Sequence, residues 1–257
     1  EEGPQSTILR ACGYSVRNGG KRLRPLFMQS VYRLLGGSEE EKLWPFMAGL
    51  EMMHSSSLVH DDLPCMDNDR LRRGKPSTWA QFGVDMGTLA GDGLMIYAFE
   101  TMLKSGFPDD IKLRAMQVLA EKSGIFGMVG GQTVDVELTG NIPDPDTLRF
   151  IYEKKTGALI EAAFRMGAIA AGADAETERA FEEAGLAVGM AFQIRELGKT
   201  AHADDRNAKM TWVSFYGLDQ SEKDVVRYTD QALGLISDYE EGLFLEELLR
   251  RLIDRKY

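Results

Sequence analysis

Apolar side chains return every three or four residues along most of the chain, as at Leu43, Phe46, Met47, Leu50, Met52 and Met53, and again at Leu148, Ile151, Tyr152 and Leu159. That spacing keeps them on one face of a helix, with its period of about 3.6 residues, and windows of strict alternation that would mark strands are few. An all-α fold is therefore predicted. Turn-forming residues gather at Gly36-Gly37-Ser38, Ser105 to Asp110, Thr139 to Asp146, Gly172 to Ala175 and Gly217 to Ser221. They cut the pattern into helices of roughly 15 to 25 residues. No stretch rich in Pro, Gly or Ser separates two cores, and residues 1–257 are read as a single domain. Several glycines fall inside the apparent helices, among them Gly87, Gly91, Gly93, Gly127, Gly130, Gly131, Gly157 and Gly167, each at about 1 kcal/mol against Ala. Close helix packing around a central cavity is the expected offset, with helix bends as the alternative.

Composition matters here for what it removes. With 257 residues, 44% of them apolar and 27% charged, the chain can bury a sizeable core without a disulfide or a structural metal. Cys12 and Cys65 are too few and too isolated for a disulfide framework or a thiolate metal cluster, so reduced thiols and a cytoplasmic setting are expected. The longest nearly unbroken apolar stretch, Met166 to Ala171, falls far short of the roughly 20 residues that span a bilayer, and no signal-like segment opens the chain. Membrane insertion and secretion are not expected. The formal net charge of −10 argues against a nucleic-acid partner. It leaves anionic small substrates open, because the basic residues are clustered.

The strongest chemical signal is Asp61-Asp62-Leu63-Pro64-Cys65-Met66-Asp67-Asn68-Asp69, followed by Arg70, Arg72 and Arg73. Carboxylates so crowded repel one another unless a cation neutralises them, and oxygen-only ligands point to Mg²⁺ or a similar hard ion. On a regular helix Asp61 and Asp67 would diverge by about 240°. Pro64 supplies the bend that brings them together. Mg²⁺ held by few carboxylates completes its shell with water and substrate phosphates, which implies a phosphorylated substrate. Basic partners stand in Gly19-Gly20-Lys21-Arg22-Leu23-Arg24-Pro25, where Lys21 and Arg24 are spaced to share a helix face. His54 precedes Asp61 by two helical turns, about 10 Å, on the same face. His60 reads as packing or as a support behind the metal ligands. In Tyr152-Glu153-Lys154-Lys155-Thr156-Gly157 a lysine and a hydroxyl adjoin a glycine that permits close approach to a ligand, although an exposed Lys-Lys pair would look the same.

Taken in order, GGKRLRP, MHSSSLVHDDLPCMDNDRLRRGKP, LAGDGL, EKKTGALI and AFQIR resemble the trans-polyprenyl diphosphate synthases over nearly the whole chain. The DDxxxxD spacing with a following LRRG is similar to bacterial farnesyl and geranylgeranyl diphosphate synthases. The resemblance implies an all-helical fold of isoprenoid synthase type, with long helices around a deep cavity, and a homodimer. It implies that Asp61, Asp62 and Asp67 hold Mg²⁺, more than one ion per site, against the diphosphate of an allylic substrate, with Arg72 beside them. Lys21, Arg24, His54 and Arg73 match the pocket for isopentenyl diphosphate. Lys155, Thr156 and Gln193 match residues that grip the allylic diphosphate, and Lys199 matches a further family lysine. The implied reaction joins isopentenyl diphosphate to dimethylallyl, geranyl or farnesyl diphosphate. Ser57 lies one turn before Asp61 with Ser56 adjacent; small side chains there leave room for a growing tail, so a fifteen- or twenty-carbon product is expected.

One departure stands out. The family carries a second aspartate-rich motif directly after FQIR, whereas here Phe192-Gln193-Ile194-Arg195 runs into Glu196-Leu197-Gly198-Lys199. Either a loop of about a dozen residues is deleted or the sequence in hand omits it, and omission is the reading favoured, since mobile active-site lids are commonly lost in this way. Two rivals follow. A class I terpene cyclase shares the first motif but needs no second diphosphate pocket, and a non-catalytic subunit of a synthase would tolerate the missing motif.

Overall fold

A computed structural model of the protein describes residues 3–138, 141–198, 211–237, 239 and 243–253. Nearly all of its regular structure is helical, in agreement with the periodicity. The contacts group into two compact units, residues 1–26 with 40–108 and residues 27–39 with 109–257.

The first unit contains α1 (Ser6–Arg17), the first turn of α2 (Leu23–Leu34), α3 (Glu40–Asp61), a hairpin of β1 (Leu71–Arg72) and β2 (Lys75–Pro76), α4 (Thr78–Phe82) and α5 (Val84–Leu103). Its core forms where α1, α3 and α5 turn their apolar stripes inward: Ala11, Val59, Ala90 and Leu94 are buried, with Met52 and Phe82 packed against them. α5 packs close against α3 and α4 because it offers glycine where they are bulky. A Cβ on Gly91 would collide with the His60 ring, and one on Gly87 would lie 2.8 Å from the Trp79 Cβ. His60 also meets the Thr88 carbonyl at 3.1 Å.

The second unit contains the rest of α2 with α6 (Asp109–Ser123), α7 (Met128–Glu137), α8 (Pro145–Ile151), a π-helical turn (Tyr152–Gly157), α9 (Ala158–Ala170), α10 (Ala175–Gly198), α11 (Trp212–Tyr216), α12 (Leu218–Ile236) and α13 (Leu243–Ile253). Every residue of α9 except Arg165 is buried, as expected of a helix that is apolar nearly all round and surrounded by others. Its charges are answered locally. Lys122 of α6 reaches Glu161 at 3.0 Å and Glu182 of α10 at 2.5 Å, and Arg165 reaches Glu182 at 3.3 Å. Asp144 caps α8 by accepting from the Thr147 amide at 2.9 Å, with Pro145 in the first helical position.

The turn signals mark real breaks, but three features depart from the expectation. α4, α8 and α11 are far shorter than 15 residues. Gly127 caps α7 at its N-terminus instead of lying inside a helix, and Gly83, at φ 98°, separates α4 from α5. The hairpin in Leu71–Pro76 is the third, too short for alternation to reveal. The glycine expectation divides as well. Gly131, Gly167 and Gly189 sit where a Cβ would strike another element, whereas Gly93 has only the Cys12 sulfur, at 3.7 Å. Among the described residues no helix is long and apolar enough to cross a membrane. Cys12 and Cys65 are free thiols.

Candidate active site

α3 ends at Asp61 because Pro64 removes a backbone donor and disfavours helix in the residue before it. The chain then folds back. The Asp67 amide donates to the Asp61 carbonyl at 2.9 Å, and the Asn68 amide to Leu63 at 3.0 Å, with Asn68 at φ 55°. A closed turn, sharper than a bent helix, thus joins Asp61 and Asp67 backbone to backbone. Asp67 is exposed and Asp61 half-buried. Asp62 goes elsewhere: it is 2% exposed, and Arg72 Nε donates to its two oxygens at 3.0 and 3.3 Å. Burial pushes the Asp62 carboxyl above the usual carboxylate range while Arg72 pulls it down. Among the described residues no group of three or more His, Cys, Asp or Glu side chains is gathered around a metal position. Asp61 and Asp67 still offer the oxygen chemistry of a hard divalent ion, which needs only one or two carboxylates when phosphates complete its shell.

The hairpin is what aims the two arginines. Arg73 and Gly74, at φ 56° and 77°, form the two-residue turn with both residues left-handed, the type that matches strand twist, and Arg72 pairs with Lys75 across it. Arg72 is thereby delivered to Asp62, and the Arg73 guanidinium donates to the Gly19 carbonyl. Gly20, at φ 116°, has no Cβ to meet the Arg73 guanidinium carbon, which would lie 2.7 Å from it. Asn18 donates to the Arg72 carbonyl at 3.4 Å. A small cleft here is lined by Ser15, Asn18, Ser55, Asp62, Arg72 and Arg73.

Lys21 stands exposed in the loop before α2, outside the helix that its spacing from Arg24 predicts, while Arg24 occupies the first turn of α2. The Arg24 Nε is buried without an acceptor, and burial lowers the pKa of its guanidinium to about 10, with Glu51 opposing and Arg73 assisting. His54 shares these surroundings. Burial holds its pKa well below the ordinary histidine value, and the charges of Arg24, Arg73, Arg22 and Arg72 push the same way, so the imidazole is neutral at pH 7. Four guanidiniums lie close enough to act on this half-buried ring, a local cluster of positive charge. Ser56 is buried and Ser57 half-buried on α3, their hydroxyls donating to the Met53 and His54 carbonyls at 2.7 and 2.9 Å.

In the second unit the Lys-Thr-Gly sequence lies in the π-helical turn, a wider coil found disproportionately where a helix is adapted to function. The turn is seated by glycine. A Cβ on Gly131 would run into the Lys155 amide nitrogen and lie 2.7 Å from the Lys154 Cβ, and a Cβ on Gly189 would lie 2.7 Å from the Gly157 Cα. Tyr152 anchors the other side, its buried hydroxyl accepting from the Trp212 amide at 3.1 Å; burial pushes its pKa up to about 12. Lys155 donates to Asp135 of α7 at 2.7 Å. Thr156 and Gln193 are half-buried, and α10 continues beyond Gln193 through Arg195 and Glu196 without interruption to Gly198. Lys199, with His202 and Lys209, lies outside the described residues. Nothing local in the sequence singles out Asp135 or Glu51, since a lone carboxylate on a helix has no distinctive spacing.

The motif order and the fold agree with the comparisons. The family model described as polyprenyl synthetase matches residues 5–241. A farnesyl diphosphate synthase of Geobacillus stearothermophilus is 39% identical over 231 residues, covering 84% of this chain and 77% of its own. A geranylgeranyl diphosphate synthase of Cyanophora paradoxa is 38% identical over 245 residues, 90% of this chain and 81% of its own. Among solved structures, the apo FPP/GFPP synthase of Zymomonas mobilis superimposes with a TM-score of 0.91 at 32% identity, covering 98% of this chain and 90% of that one. The chain belongs to the polyprenyl synthetase family and is a prenyltransferase of the short-chain trans class.

Proposed function

We propose that the chain, acting as one polyprenyl synthase domain over residues 1–257, condenses isopentenyl diphosphate with dimethylallyl, geranyl or farnesyl diphosphate to give a fifteen- or twenty-carbon prenyl diphosphate. The observation that carries this reading is the pairing of a carboxylate turn with a cluster of guanidiniums around His54, groups suited to handling two diphosphates. Asp61 and Asp67 are the residues suited to Mg²⁺, which when bound withdraws charge from the leaving diphosphate. Asp62 orients Arg72 toward the same phosphates through its two hydrogen bonds. Lys21, Arg24, His54 and Arg73 bind the diphosphate of isopentenyl diphosphate, with His54 donating as a neutral imidazole. Lys155, Thr156, Gln193 and Lys199 are assigned to the allylic diphosphate and to the charge that develops as it departs.

The carbon–oxygen bond of the allylic diphosphate breaks, its allylic cation is attacked by the isopentenyl double bond, and the adjacent proton is lost to the released diphosphate. Water must be excluded, since it would trap the cation as an alcohol. Ser56 and Ser57 set the room available to the tail. A homodimer is supported by the exposed apolar stripe on α5, where Leu89, Ile96 and Leu103, spaced by two turns, are 50%, 72% and 56% exposed. The reduced thiols accord with the cytoplasm.

The test is incubation with geranyl diphosphate, isopentenyl diphosphate and Mg²⁺, followed by chain-length analysis of the dephosphorylated product. Farnesol or geranylgeraniol is expected, with no hydrocarbon when isopentenyl diphosphate is withheld; a cyclase would give the reverse. Asp61→Ala is expected to abolish turnover with an unchanged melting temperature, and full activity would refute the assignment. The missing second aspartate-rich motif between Arg195 and Glu196 is the one feature that would suit a non-catalytic subunit, and such a subunit would give no product alone.

A further inference from the structure

Glu51 has no part in the reaction as derived, yet it is a carboxylate buried to 8% exposure on α3, one turn before His54. Arg22 donates to its Oε1, and the same guanidinium donates to the Val16 carbonyl. Arg22 itself holds a left-handed backbone at φ 53°, unusual for a side chain of this size. The Glu51 charge also acts on Arg24 and Arg73, favouring their protonated forms. A buried carboxylate paired with one guanidinium and acting on two more has a clear electrostatic consequence. It relieves the mutual repulsion of the cations while the pocket holds no anion, and it competes with an anion that arrives.

We propose that Glu51 is the resident counter-ion of this pocket, a positioning residue that keeps Arg22, Arg24 and Arg73 in place before substrate binds and moderates the affinity for diphosphate once it does. The proposal rests on the reading of the cluster as a diphosphate pocket. It differs from a packing role in its sign: removing the charge weakens the ligand-free fold and strengthens diphosphate binding, whereas a packing defect weakens both.

The experiment measures melting temperature and inorganic diphosphate binding by calorimetry, in buffer with EDTA so that no metal-assisted binding contributes. The unaltered chain, Glu51→Gln and the double variant Glu51→Gln/Arg22→Gln are compared. Glu51→Gln is expected to melt several degrees lower without ligand and to bind diphosphate about tenfold more tightly. The double variant, with the surplus positive charge removed, is expected to regain most of the lost melting temperature and return toward the original affinity. If diphosphate fails to bind or stabilise the unaltered chain, the pocket assignment itself is wrong. If it does both, but Glu51→Gln binds it no more tightly, the counter-ion role is overturned. Should Glu51→Gln not fold, recovery of a folded double variant supports charge balance, and failure of both variants to fold overturns it.

Discussion

His54 shows how far a single residue is governed by what surrounds it. Its spacing from Asp61 is legible in the sequence, but its protonation depends on burial and on the fields of Arg24, Arg73, Arg22 and Arg72, which no local pattern brings together. Because the folded state holds the imidazole pKa below its unfolded value, the unfolded chain takes up the proton more readily. The stability advantage is complete above the unfolded value and declines as pH falls through it, at up to about 1.4 kcal/mol per pH unit. Denaturant unfolding between pH 7.5 and 5 is expected to show this decline, reduced in His54→Gln; an identical slope in the variant would assign the decline to other groups. Asp62 makes a parallel case. In the sequence it is one aspartate among four, and only the fold separates it from Asp61 and Asp67 by giving it to Arg72.

Among the elements, the π-helical turn at Tyr152–Gly157 and its glycine seats are the clearest example of local geometry made possible by a neighbour. Hydrophobic periodicity reads straight through this segment, since a single wide turn shifts the apolar stripe too little to register. The two kinds of helix glycine make opposite predictions. Gly131→Ala forces a Cβ into the backbone of the π turn and is expected to destabilise the protein by about 2 kcal/mol, as overpacking does, and to lower turnover through Lys155. Gly93→Ala meets only an ordinary contact and is expected to be stabilising by about 0.5–1 kcal/mol through helix propensity. Urea unfolding of both variants checks the pair, and equal effects would remove the structural role given to Gly131.

At the scale of the whole molecule, the apolar stripe of α5 is conspicuous because large aliphatic side chains so regularly exposed on a helix lack a partner within their own unit. A second copy of the chain is the partner implied by the family resemblance. Ile96→Glu introduces a charge at the most exposed position of that stripe and is expected to halve the mass seen by size-exclusion chromatography with light scattering. A monomeric unaltered chain, or a dimer indifferent to the substitution, would place any interface elsewhere.

The all-α class, most of the breaks between helices, the carboxylate turn at Pro64 and the order of motifs that defines the family were determined by the sequence by itself. Each depends on residues close together in the chain, where helix period, proline and glycine act directly. Only the tertiary structure decided which charges meet. Arg22 finds Glu51 across 29 residues and Lys155 finds Asp135 across 20. The hairpin aims Arg72 at Asp62, ten residues back. An ion pair leaves no periodic trace in a sequence, because its partners are selected by which helix faces are brought together and by the cost of burying either charge alone.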